Sequence, residues 1–363
     1  MTTRRLALWI LCLTLMGAGG CEKPANVLSR LLVQPETAAD FGYGINWVTN
    51  LALPHGEKII YAELLGDRLV IYETGSILSV IDTNTGDILW RTQVGKRVER
   101  FSKPVRYENR LAICSETRAY VYDIDHGDLL KIFPLAYVSN ATPVIVGGLL
   151  IHGSPTGVLF AQDLDKGLLR WSFQVGSSIG TSPIIAGPTL VVASNLGQVY
   201  GFNPYTGVVI WRTSAFDKIT SQPTGNDMLV YIASNDQSLY AYERASGQQR
   251  WRYYSKDILV SNPSFIGDYV FQWVPSEKYL CLDAVTGQKL WSQDYPNADA
   301  LMLHNSMLYI ARPHKLMMVD PDNGDEIKSV DISAVDHVIA SSKTDGDLYL
   351  IRLSGPIMKL TPR

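Results

Sequence analysis

The sequence predicts an all-β fold, an eight-bladed β-propeller of four-stranded blades whose ring is closed by the N-terminal strand. Three observations predict it. Gly86, Gly127, Gly167, Gly207, Gly247, Gly287 and Gly324 recur at intervals of about forty residues. Each is preceded at four residues by an acid or amide (Asp82, Asp123, Asp163, Asn203, Glu243, Asp283, Asp320). In five copies it is followed at four by Trp90, Trp171, Trp211, Trp251 or Trp291. Lys131 and Lys328 take the tryptophan's place in the second and seventh copies. A second register sets Pro104, Pro143, Pro183, Pro223 and Pro263 about forty residues apart. Third, the last copy is incomplete, and the missing piece stands at the other end of the chain.

A repeat of roughly 40 residues divides into four strands of five or six residues with their turns, the size of one propeller blade. In the fourth copy the strands read as Ser182 to Ala186, Thr189 to Ser194, Gly197 to Phe202 and Val208 to Thr213. Each proline opens a first strand, where no ladder N–H is lost. The acid or amide caps N–H groups of the turn before the fourth strand, and glycine there takes positive φ without steric cost. A residue that recurs in every copy is turn chemistry rather than catalysis. Tyr200 and Phe202, Tyr240 and Tyr242 alternate with small or aliphatic residues, so the strands are covered on both faces, as in radially stacked sheets.

The last segment supplies Asp347 to Leu353 and Ile357 to Thr361, and the chain ends where a tryptophan strand is due. Ile45 to Leu51, with Trp47, has no strands of its own before it. Residues near 44–52 are therefore expected beside residues near 355–361, closing the ring and removing an open edge. The domain reading is 1–20 signal peptide, 21–42 tether and 43–363 propeller.

Length alone would allow two domains, but uninterrupted repetition makes one ring. A formal net charge of −3, with no lysine-arginine cluster, gives a nucleic-acid partner no electrostatic footing. Arg4 and Arg5, an apolar run from Leu6 to Met16 and a small-residue stretch before Cys21 look like a bacterial lipoprotein signal peptide, with Cys21 as the lipid anchor. Ala18 departs from the leucine usual three residues before that cysteine, leaving a plain secretory signal or an uncleaved anchor as alternatives. The apolar run is too short for a spanning helix. Within the tether, Val27, Leu28, Leu31 and Leu32 offer an alternative, a short helical turn docked on the ring.

Cys114 and Cys281 fall in blades two and six at positions held elsewhere by glycine or alanine, and read as small core fillers. The six histidines lack metal-ligand spacing. His126 sits in a turn; His152, in a second strand, either reaches the channel or packs. Phe133 to Tyr137, Phe216, Ile258 with Leu259, and Tyr295 stand between blades. They either pack against neighbouring blades or form a partner-binding patch, for which Phe216, Ile258 and Leu259 are the candidates.

The phrases Tyr200 to Trp211, Tyr240 to Trp251 and Leu280 to Trp291 resemble the quinoprotein-type propeller repeat of pyrroloquinoline quinone (PQQ) dehydrogenases and of the non-enzymatic propellers that share it. The Gly-His and Trp-Asp signature of WD repeats is absent. The resemblance implies that Trp47, Trp90, Trp171, Trp211, Trp251 and Trp291 dock between blades. Dehydrogenases of that family are longer, with decorated loops and often adjacent cysteines; here the loops are short and no two cysteines adjoin. A lipid-tethered, short-looped propeller most resembles the propeller lipoproteins of the machinery that inserts β-barrels into the bacterial outer membrane. That resemblance implies a non-enzymatic scaffold without cofactor or metal, a monomer within a complex, bound to an envelope protein partner. It also implies a place on the periplasmic side of the envelope, at the outer membrane, held through a lipid anchor; Glu22 after Cys21 is permissive for that sorting. A small PQQ-dependent oxidoreductase and a ligand-sensing envelope propeller stay open as alternatives.

Overall fold

In the computed structural model, which describes residues 31–97 and 99–363, eight four-stranded antiparallel sheets follow one another along the chain. The readings on 1–20 and on Cys21 lie outside the described residues. Blade 1 runs through Ile59–Leu65, Arg68–Glu73, Ile77–Asp82 and Ile88–Gln93, and blade 4 through Ile184–Ala186, Thr189–Ala193, Gln198–Phe202 and Val209–Ser214. In blades 1 to 7 the third and fourth strands are out of step by one residue just before the tryptophan position, as between Gly201 and Phe202. This bulge leaves Ile210 and its counterparts unpaired at the rim and increases local twist.

Blade 8 is assembled from both ends of the chain. His337–Ala340, Leu348–Ile351 and Pro356–Pro362 form its first three strands, and Tyr43–Asn50 its fourth. The seam pairs Tyr43 with Pro362 and Asn50 with Pro356. Lys359, opposite Trp47 and nearly buried, bonds the Thr83 carbonyl at 3.0 Å and the Asp347 carboxylate at 3.0 Å. Trp47 Nε1 donates to the same Thr83 carbonyl at 2.9 Å, so both seam strands are fastened to blade 1.

Hydrophobic clusters lie between blades rather than within them. Tyr231, Leu239 and Ala241 of blade 5, for example, meet Val270, Leu280 and Leu282 of blade 6. Each such side chain removed from water contributes about 1.5 to 3 kcal/mol.

The expected tether is docked over its second half. A helix, α1 (Pro35–Asp40), starts with proline in its first turn, and Leu32, Val33, Ala38 and Phe41 are buried. Tyr309 donates its hydroxyl to the Phe41 carbonyl at 2.7 Å, and Lys328 Nζ donates to the Asp40 carbonyl at 2.9 Å. Apolar spacing in this short segment is too sparse to announce a helix. The alternative helical turn through Leu31 and Leu32 is not formed there, and its first two members lie outside the described residues.

Candidate protein-interaction face

The six tryptophans occupy one repeated geometry. Each indole lies on the glycine of the next blade's turn and donates Nε1–H to the carbonyl one residue past the turn's acid, amide or glutamate. Trp90 reaches Ile124 at 2.8 Å, Trp171 Pro204 at 3.1 Å, Trp211 Arg244 at 2.7 Å, Trp251 Ala284 at 2.9 Å and Trp291 Pro321 at 2.7 Å. A Cβ on Gly207, whose φ is +69°, would stand 2.5 Å from the Trp171 ring. Only glycine admits both the conformation and the approach. The acids cap these turns: Asp283 Oδ1 accepts from the N–H groups of Val285 and Thr286 at 3.0 and 2.7 Å. Bonds from Thr286 hold the Asp283 carboxyl below the usual aspartate range.

The two exceptions are also docked. Lys131 donates to the Asp165 carbonyl while Phe133, two residues on, lays its ring on Gly167. Lys328 faces no such turn, because the outer two strands of blade 8 join only through hydrogen bonds; it turns to α1 instead.

One end of the ring, built from the loops after outer strands and the turns between second and third strands, carries one group of the exposed apolar residues; others lie on the outer strands and the turns before them. Phe216 is 81% exposed and Ile258 53% exposed. The Phe216 N–H donates to Asp236 Oδ2 at 2.8 Å, and Tyr240 donates its hydroxyl to the same oxygen at 2.6 Å. Burial, and then this bond, push the Tyr240 hydroxyl up to about 12. The Arg252 guanidinium lies 5.1 Å from the Phe216 ring centre and 5.8 Å from that of Tyr254, while its Nε donates to Ser238 Oγ at 2.8 Å. Phe216 is thus held on a cation–π base with its outer face free. Leu196, exposed in the adjoining turn, is chained to it through the Ala215 N–H bond to the Gly197 carbonyl at 2.8 Å.

Leu259 does not belong to this face. It is fully buried against Leu280 and Val270, at the place Ile219 and Ile179 fill one and two blades earlier. The forty-residue register held that signal, since 179, 219 and 259 repeat. Phe133 and Tyr295 are buried as well, and Tyr137 is half-buried. The loop reading missed Leu196, Tyr254 and Val260, all exposed near Phe216 and Ile258, and Leu130 with Ile132 on the outer strand of blade 2.

His152 and Cys114 are engaged in structure. His152 is buried, with Nδ1 3.2 Å from Ser139 Oγ and Nε2 3.8 Å from Cys114 Sγ. Burial lowers its pKa to about 3 and pushes the Cys114 thiol upward, so neither is a ready base or nucleophile. His126 is an exposed turn residue on Asp123. Among the described residues no three His, Cys, Asp or Glu side chains are grouped to hold a metal. In the axial cavity Lys103 is ion-paired with Glu63, and among the described residues no cluster of three acidic, histidine or cysteine side chains is gathered there that would hold a calcium ion beside PQQ.

These features define a closed eight-bladed propeller with the quinoprotein-type repeat and short connections. The chain belongs to the family described as outer membrane protein assembly factor BamB, whose profile matches residues 45–185 and 172–258, more than half of it. Among solved structures it is similar to BamB from Moraxella catarrhalis, with TM-score 0.67 and 16% identity over 87% of this chain and 98% of that one. It is also similar to the quinohemoprotein alcohol dehydrogenase from Comamonas testosteroni, with TM-score 0.65 and 12% identity over 89% of this chain and 77% of that one. The computationally designed Ika8 protein gives TM-score 0.67 at 15% identity, covering 85% of this chain and 97% of the design. At such identities these likenesses show the fold. No curated protein sequence gives a significant match.

Proposed function

We propose that this chain is a non-enzymatic scaffold of the bacterial envelope, anchored through Cys21 at the outer membrane, that holds a protein partner of the barrel-assembly machinery on its loop face. Membership of the BamB assembly-factor family supports the setting. The observation that carries the reading is Phe216, an aromatic anchor presented almost wholly to solvent and braced by Arg252 and Asp236. With Leu196, Tyr254, Ile258 and Val260 exposed near it, Phe216 forms part of an apolar patch, and braced aromatics supply the strongest contacts in protein interfaces.

The test is affinity capture from solubilised envelopes with wild type and a Phe216→Ala, Ile258→Ser variant. Both side chains are exposed, so the variant should unfold at the wild-type temperature while losing barrel-assembly components by roughly tenfold or more. Equal capture by both proteins would reject the face. Dye reduction on mixing with PQQ, calcium and an alcohol or sugar would reject the non-enzymatic reading.

A further inference from the structure

Blades 2 to 6 open their inner strands alike, after a proline, and a belt of side chains joins four of them around the axis. The Thr142 N–H donates to Ser182 Oγ at 3.1 Å, the Ser182 N–H to Gln222 Oε1 at 2.9 Å and the Gln222 N–H to Asn262 Oδ1 at 2.7 Å. Each step spans forty residues and one blade. Blades 7, 8 and 1 abandon this pattern. They lack the proline and their inner strands, Asp299–His304, His337–Ala340 and Ile59–Leu65, are longer than the two- or three-residue strands of blades 2 to 6.

Between those three strands lies a cavity of about 660 Å³, continuous through Asp299, His337 and Val338 with a second of about 390 Å³. Glu63 and Lys103 in its wall neutralise each other as an ion pair. Asp299 and Lys343 do not: among the described residues, neither side chain has a hydrogen-bond or ion-pair partner within the chain, and both line the cavity. Asp299 is reached by solvent yet walled in. Burial raises its carboxyl above the ordinary aspartate range, and the Lys343 ammonium acts against that rise.

Lys343 is placed by a feature no other blade has. The connection between the first two strands of blade 8 covers residues 341–347, where the other blades use two or three residues. It folds back onto blade 7, the Leu303 N–H donating to the Lys343 carbonyl at 3.0 Å and the Asp345 N–H to the Leu303 carbonyl at 2.9 Å. In a ring whose copies are otherwise uniform, this insertion brings a solvent-exposed, unpaired cation to the same cavity as a solvent-exposed, unpaired acid.

We propose that the axial cavity between blades 7, 8 and 1 binds a short extended peptide with free ends, its ammonium on Asp299 and its carboxylate on Lys343. Asp299 opens the inner strand of blade 7 and Leu303, which holds the lysine backbone, stands four residues on, about 13 Å away along a strand. A lysine stem reaching back along that length leaves room for a short peptide, such as one of about three residues, which spans some 10 Å when extended. The three inner strands are sheet edges toward the axis. Of the blade 7 edge, the Ala300 N–H is taken by the Tyr279 hydroxyl at 3.1 Å and Leu303 by the insertion. The remaining edge groups can pair with an extended backbone. Within the larger cavity the free charges are one of each sign, Asp299 and Lys343, which selects a zwitterion over an anion or a cation; Arg312 lines the adjoining cavity. This site is separate from the loop face, and its fate and that of the scaffold reading are decided by different measurements.

Calorimetric titration of the full mature chain with trialanine tests it. Saturable one-to-one binding at millimolar concentration or below is expected. Acetylating the amino end or amidating the carboxyl end should weaken it by about tenfold or more, as loss of one charge-assisted contact does. Asp299→Asn should abolish the preference for the free amino end, and Lys343→Met the preference for the free carboxyl end. Alanine itself, which cannot use the strand edges, should bind at least tenfold more weakly than trialanine. Absence of saturable heat, equal binding of the blocked peptides to wild type, or alanine binding as tightly as trialanine would overturn the proposal. The blocked-peptide comparison needs no variant, so a misfolded substitution cannot shield it.

Discussion

His152 is one residue through which this fold feels acid. Its ring is buried, stacked on Phe160 at 5.2 Å between centres, and burial lowers its pKa from 6.5 to about 3. Between those two values the unfolded chain binds a proton that the folded chain refuses, so folding stability is complete above pH 6.5 and falls as the pH drops through the window. The loss from this one group is on the order of 4 kcal/mol by pH 3. His152→Gln keeps a polar group beside Ser139 without a titrating ring. Its unfolding midpoint in denaturant should therefore decline less between pH 7 and pH 4 than that of wild type. Parallel declines would show that other groups dominate the acid limb. Whether this histidine packs or reaches the channel could not be read from its spacing, because second-strand residues alternate between faces and only the assembled blades decide which face is sealed.

At the scale of the element, the unit of stability is a tryptophan on the next blade's glycine. Trp211→Ala should cost about 3 to 5 kcal/mol, from the cavity it leaves and the orphaned Arg244 carbonyl. Blade 2 should invert the rule. There Phe133 covers Gly167 and Lys131 only bonds a carbonyl, so Phe133→Ala should lower the thermal unfolding temperature far more than Lys131→Ala, which stays within about 1 kcal/mol. Equal shifts would mean that the lysine had inherited the tryptophan's role. The tryptophans, glycines and acids were legible in the sequence because one geometry is written many times over. What occurs once was not. The α1 segment, the insertion at 341–347 and the compensation by Phe133 have no second copy to betray them. Leu259 was misplaced for the opposite reason: a repeated core position was read as a local loop residue. The outer-strand bulge escaped too, since two consecutive aliphatics such as Leu129 and Leu130 look like a buried run until the register shift turns both toward solvent.

For the whole molecule, closure is noncovalent, and that makes it testable by cutting. The strand Tyr43–Asn50 completes blade 8, seats Trp47 on blade 1 and places Tyr43 so that its hydroxyl donates to the Gly346 carbonyl at 2.9 Å. A chain beginning at Leu51 keeps every other blade whole but leaves Pro356–Pro362 as a bare edge, with Met358 and Leu360 no longer covered by a fourth strand. Unpaired strand edges of this kind recruit another chain. The shortened protein should sediment as dimers or larger species and unfold at lower temperature. A synthetic peptide of residues 41–51 should restore the monomer in a saturable manner, because it supplies the ladder, the indole and the Tyr43 contact together. A shortened protein that remained monomeric and as stable as wild type, indifferent to the peptide, would mean that seven complete blades hold the ring without their seam.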